Sequence, residues 1–152
     1  MADVVHELIA SASRLRDASQ LIASRIVSEG VADLVYNPLN YAWEVHEEFI
    51  RRTGGNGAKC ILLGMNPGPH GMGQMGIPFA ATSVVRDLIR ITGITVAKPE
   101  ITHPKRPVNG LEHPKEEVSG TRLWGVLEHR YGDIDKISCL LYTSDAADDR
   151  VS

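Results

Sequence analysis

An α/β fold is the class this sequence predicts, and three observations predict it. Apolar residues recur at helical spacing in several stretches, near residues 3 to 29, 40 to 52, 82 to 92 and 120 to 130. Between the second and third lies AKCILLG, a short apolar run from Ala58 to Leu63 that stops at Gly64. Its length and flanking glycines favour a buried strand over a helix. A long loop then leaves the C-terminal end of that strand, where open α/β sheets place their ligands. With 152 residues, 43% hydrophobic and 23% charged, the chain has the composition of one globular domain with one core.

Taken in order, the first helix presents Val4, Leu8, Leu15, Ile22 and Ile26, and Gly30 is its C-terminal stop. Tyr36-Asn37-Pro38 is a turn, because Pro38 disfavours helix at Asn37. Asn40 is expected to cap a helix through about Arg52 that carries Trp43, Val45, Phe49 and Ile50. Gly54-Gly55-Asn56-Gly57 ends it. Cys60, inside the apolar run, is expected to be a buried, reduced thiol. From Gly64 to Pro78 there are too many Gly and Pro for regular structure. A helix from Thr82 to Thr92 follows, with Val84, Val85, Leu88 and Ile91 apolar and Gly93 closing it. Residues 94 to 118 hold four prolines and two copies of His-Pro-Lys, at His103 and His113, and are expected to form an ordered surface loop. Ser119 then caps a last helix, Gly120 to about Arg130, carrying Leu123, Trp124 and Leu127.

Residues 139 to 152, CLLYTSDAADDRVS, resemble the conceptual translation of a sequencing-library adapter. Residues 1 to 138 are therefore expected to form part of one domain, and 139 to 152 a non-native tail that adds nothing to folding. Cys60 and Cys139 give no disulfide framework, which suits a reducing, intracellular compartment. The first residues lack a signal-peptide pattern, and no apolar run approaches the ~20 residues that span a bilayer. A formal net charge of −3 decides nothing about nucleic acid, since a whole-chain sum hides clustered cations.

The chemistry narrows by elimination. Gly71-Met72-Gly73-Gln74-Met75-Gly76 has the letters of a dinucleotide fingerprint but not its context. Seven residues separate it from the strand, and Pro78 stands where the helix should run. His103, His113 and His129 are ten or more residues apart, without zinc-ligand spacing. No nucleophile elbow occurs. What remains is Asn66, between Met65 and Pro67 at the mouth of the strand.

The run Gly64-Met65-Asn66-Pro67-Gly68-Pro69, then Gly71-Met72, Gln74 and Gly76-Ile77-Pro78-Phe79, is similar to the first active-site motif of the single-strand-selective monofunctional uracil-DNA glycosylases. Tyr36-Asn37-Pro38, Tyr41-Ala42-Trp43-Glu44, His103-Pro104-Lys105-Arg106-Pro107-Val108, Gly110-Leu111-Glu112, Glu117-Val118-Ser119-Gly120, Arg122 and Trp124-Gly125 match in order. The likeness covers about residues 35 to 130.

The resemblance implies a three-layer α/β/α glycosylase fold with a short parallel sheet, truncated at the C-terminus. It implies base excision of uracil and 5-substituted uracils such as 5-hydroxymethyluracil from DNA, single- or double-stranded, by a monomer that uses no metal or organic cofactor and no membrane. Asn66 becomes the catalytic residue, and Met65, Gly68, Met72 and Phe79 bind substrate. Gly68 matches the position facing carbon 5 of the pyrimidine. His70 departs from the family, which usually has Phe or Trp there. The sequence has no counterpart of the family's later uracil-reading asparagine or of its His-Pro-Ser-Pro motif. The alternative is therefore a catalytically incompetent fragment or a non-catalytic α/β binding module. The expected location is cytoplasmic in a bacterium and nuclear in a eukaryote.

Overall fold

The computed structural model of the chain describes residues 2–145. Helix α1, Ala2–Ser28, ends where Gly30 takes a left-handed φ of 71°. Its expected apolar stripe is only half used: Val4, Leu15 and Ile22 are exposed, and Ala23 is buried. Arg16 lies 4.5 Å over the Trp43 ring, and the Asn37 amide donates to the Arg16 carbonyl at 3.0 Å.

The second expected helix is two. Pro38 opens α2, Pro38–Tyr41, because a fixed φ and a missing N–H cost nothing in a first turn. After a break at Ala42, α3 runs Trp43–Thr53. Asn40 is thus inside α2 and caps nothing; its amide donates to the Gln20 side chain at 3.3 Å. Helix α3 buries Val45, His46, Phe49 and Ile50 on one face. Its outer face pairs Glu47 with Arg51 and Glu48 with Arg52, the favourable helical order.

Strand β1, Cys60–Gly64, pairs in parallel with β2, Leu141–Asp145, in the register Cys60↔Leu141 to Gly64↔Asp145. Two expectations fail here. The strand is not buried, since Ile61 and Leu63 are 67% and 64% exposed, and Cys60 is an exposed free thiol. An apolar strand needs cover on both faces, and the described residues give β1 one neighbouring strand. The start of the expected tail is paired with β1 as well. The Lys59 and Cys60 N–H groups donate to the Leu140 carbonyl, and Tyr142 stacks on Phe49 with centroids 6.4 Å apart. An open sheet edge accepts any extended segment of β-forming residues, and Leu-Leu-Tyr-Thr is one. Residues 146–152 of that tail lie outside the described residues.

The Gly/Pro loop holds one regular turn, α4, Met72–Met75. The segment from Thr82 winds wider than an α-helix over Val84–Leu88, with the Ile89 N–H donating to the Val84 carbonyl at 2.9 Å. It stops at Arg90, whose φ of 62° ends it before the expected Thr92. Helix α5, Val118–Tyr131, begins two residues earlier than expected, so Ser119 is inside it and does not cap it. Helix α6, Ile134–Ser138, is capped by Asp133, which accepts from the Lys136 N–H at 3.0 Å. The core joins Val45 and Phe49 of α3, Met75 and Ile77 of the loop, Val85 and Ile89, Trp124 of α5 and Ile137 of α6. Helices with a short parallel two-stranded sheet make this a mixed α/β arrangement.

Candidate functional site

The loop after β1 is part of the core, and that fixes its shape. Met75 and Ile77 have no exposed surface. From below, the Tyr41 hydroxyl donates to the Gly73 carbonyl at 2.5 Å, and His46 Nδ1 lies 2.6 Å from the Gly76 carbonyl. His46 therefore carries its proton on Nδ1. Burial pushes its pKa down, against the smaller opposite pull of that hydrogen bond, so the ring stays neutral. Gly76 is left-handed at φ 71°, and a Cβ there would meet Ala42. The family-like segment from Tyr36 to His46 is thus a cradle for the loop.

Helix α5 holds the loop from the other side. A Cβ on Gly120 would come within 2.5 Å of the Phe79 carbonyl oxygen and 2.7 Å of that of Ala80. Glycine is what allows the helix this close. One turn on, the Trp124 indole N–H donates to the same Phe79 carbonyl at 3.0 Å. Between them they hold Phe79 at φ 55°, a backbone conformation that non-glycine residues seldom adopt.

The third support is Gln74, which is buried. Its amide donates to the carbonyls of Pro69 and Pro107, both at 3.1 Å, and its oxygen accepts from the Asn109 N–H at 2.8 Å. One side chain so ties the loop to the segment that holds the first His-Pro-Lys copy.

These supports open a cleft of ≈ 290 Å³ at the C-terminal end of β1. Met65, Asn66, Gly68, Met72 and Phe79, the five residues singled out from the sequence, all line it. Met65 and Asn66 stand exposed at the rim, Met72 is buried, and Phe79 is half-buried. The Asn66 amide makes only a long contact, 3.4 Å, to the Pro67 carbonyl. Among the described residues nothing donates to its Oδ1.

Glu117 and Ser119 also line the cleft, where the sequence offers Glu117 no role and Ser119 only that of a helix cap. The Glu117 carboxylate accepts from the His70 N–H at 3.2 Å and lies 2.6 Å from where a Gly68 Cβ would be. Glu117-Val118-Ser119-Gly120 was visible as a family-like run, but no spacing rule brings it to a loop almost fifty residues earlier. His70 stacks on His113, with centroids 5.1 Å apart and Nδ1 2.9 Å from His113 Nε2. Burial, then the neighbouring His70 and Lys115, lowers the His113 pKa, while Glu116 pulls it the other way.

Among the described residues no group of three or more His, Cys, Asp or Glu is placed to hold a metal ion, and no helix is long and apolar enough to cross a membrane.

No protein-family model matches the chain. Among curated proteins it is 50% identical over 99 residues to the single-strand selective monofunctional uracil DNA glycosylase of Bos taurus, a stretch that is 65% of this chain and 36% of that protein. The proteins of the same name from Rattus norvegicus and Mus musculus are 50% and 49% identical over 92 residues, 60% of this chain and 33% of theirs. The chain spans about a third of the length of these relatives. Over that shared stretch about half of its residues are identical to those of proteins named single-strand selective monofunctional uracil-DNA glycosylase.

Proposed function

We propose that the cleft at the mouth of β1 takes a uracil flipped out of DNA, and that Asn66 holds the water that hydrolyses its N-glycosidic bond. The observation that carries this is convergence: Met65, Asn66, Gly68, Met72 and Phe79 line one cleft. A base inside a duplex is out of reach, so the substrate is flipped or single-stranded. Phe79 stacks on the ring, a contact worth ~1–3 kcal/mol per base on an aromatic. Loop N–H groups face the negative charge that grows on the departing uracil. Asn66 has no titratable group, so it orients water through Oδ1 and does not deprotonate it. That is enough once the sugar resembles an oxocarbenium ion. Gly68 puts no side chain of its own beside carbon 5, which extends the substrates to 5-hydroxymethyluracil.

In this reading the two-stranded sheet begins the central layer of a three-layer α/β/α domain. The whole enzyme acts on DNA inside the cell, as a monomer without metal or organic cofactor. A second reading, a non-catalytic piece, is favoured by one observation: the chain spans about a third of its relatives and carries no His-Pro-Ser-Pro motif. One experiment separates the two. Residues 35 to 130 replace their counterpart in the Bos taurus relative, and uracil release from a uracil-containing oligonucleotide is followed by alkaline strand cleavage. The chimera should excise uracil, Asn66→Ala in it should lose turnover while keeping DNA affinity, and the 152-residue chain alone should release none. An inactive chimera that still folds would leave only the non-catalytic reading.

A further inference from the structure

A second cleft, ≈ 520 Å³, lies against the first, and Pro69 lines both. The two His-Pro-Lys copies, left without a role by the glycosylase reading, both line this second cleft. It gathers Lys105, Arg106, Lys115, His70, His103 and His113, and none of its lining residues is Asp or Glu, in a chain whose formal net charge is −3. Among the described residues neither lysine nor Arg106 forms an ion pair. The two carboxylates that follow Lys115 in sequence are engaged elsewhere: Glu116 accepts from the Ser83 N–H at 3.0 Å, and Glu117 from the His70 N–H. Cations gathered in one groove repel one another, so the arrangement is favoured once an anion lies among them.

The groove is also built, not merely exposed. The Tyr36 hydroxyl donates to the Arg106 carbonyl at 2.9 Å and accepts from the His103 N–H at 2.7 Å, clamping the turn that carries Lys105. The Lys105 N–H donates to His103 Nδ1 at 3.1 Å. That bond makes Nδ1 an acceptor and leaves Nε2 as the ring's donor. Gln74 holds the groove's floor to the Asn66 loop.

We propose that this groove binds the phosphodiester backbone of the DNA strand flanking the nucleotide in the Asn66 cleft, an assignment that rests on the glycosylase reading. The Arg106 fork matches a phosphate's paired oxygens, while the lysines act as point charges further along. A strand suits the site better than a lone phosphate, because the cations are spread along a groove whose wall is shared with the base cleft. Such contacts fix register and carry no sequence information.

The test uses the 152-residue chain and a fluorescein-labelled oligothymidylate without uracil, with binding read by anisotropy across a salt series. The logarithm of affinity should fall linearly with that of salt, each phosphate contact adding about 0.7 to the slope. Lys105→Gln, Arg106→Gln and Lys115→Gln together should make the slope shallower by about 2 and weaken low-salt binding at least about tenfold. Lys105→Gln alone should remove about a third of the slope change. Arg14→Gln, Arg25→Gln and Arg130→Gln remove the same charge from the exposed faces of α1 and α5 and should leave the slope unchanged. Thermal melting confirms that each variant folds. No binding by the parent chain, equal slopes in the parent and both triple variants, or equal losses in both triple variants would overturn the assignment. So would an oligothymidylate that binds no tighter than a dinucleotide and is displaced by inorganic phosphate at matched ionic strength, which would mean a lone-phosphate site. Because the probe lacks uracil, normal binding beside failed excision would count against the Asn66 reading alone.

Discussion

At Gly68 the cost of adding a side chain is set by one neighbour. Gly68 does not sit at left-handed φ, so an L-residue is not barred by backbone strain. Its Cβ would instead meet Glu117, at 2.6 Å from Oε2 and 3.0 Å from the carboxyl carbon. Glu117 cannot swing aside freely, because it holds the His70 N–H. Gly68→Ala should therefore destabilise the chain by ~1–3 kcal/mol, the usual cost of overpacking. In the Glu117→Ala background the same change should cost much less, since the obstacle is gone. Thermal melts of the four proteins give the coupling directly. Additive losses would mean that the loop resists a Cβ at Gly68 for some other reason. The identity of Gly68 as a candidate site residue was legible in the sequence; that Glu117 faces it was not.

Two glycines of α5 differ in what surrounds them, and the helix should report the difference. Gly120 touches the backbone carbonyls of Phe79 and Ala80, which have no flexible end to yield, whereas nothing lies within 4 Å of a Cβ on Gly125. Gly120→Ala should lower the melting temperature, with a loss of ~1–3 kcal/mol, and release Phe79 from its left-handed backbone. Gly125→Ala should raise it, by roughly 0.5–1 kcal/mol, since alanine favours the helical state there. The same sign for both would show that α5 does not lean on the loop as described. Elements of this kind were legible where periodicity is long, as in α1 and α5. They were misread where one residue decides a boundary: Pro38 at the start of α2, Arg90 ending a wider winding, Glu117 in front of α5. Local letters name the cap candidates, but tertiary contacts choose among them. Glu117, for one, is drawn to His70 and leaves its own helix end uncapped.

For the molecule as a whole, the α/β class and the place of the candidate cleft were legible because a strand, a Gly/Pro loop and flanking helices follow in order. The extent of burial was not, because it depends on neighbours far along the chain. Residues 141 to 145 show this best: Leu-Leu-Tyr-Thr can form a strand, but only the open edge of β1 makes it one, and β2 then brings Leu141 and Tyr142 against the core. Deleting residues 139 to 152 should therefore lower the melting temperature, and Tyr142→Ala should give part of that loss by removing the stack on Phe49. An unchanged melting curve would restore the expectation of an inert tail. The pairing of Cys60 with Leu141 also has a consequence in time. A strand that waits for a partner some eighty residues later cannot close until that partner has left the ribosome. At ~5–20 residues per second that delay is several seconds, during which the Ile61 and Leu63 edge stands open. Nascent chains of this protein are thus most exposed to chaperones, and to one another, in the interval between the synthesis of its two strands.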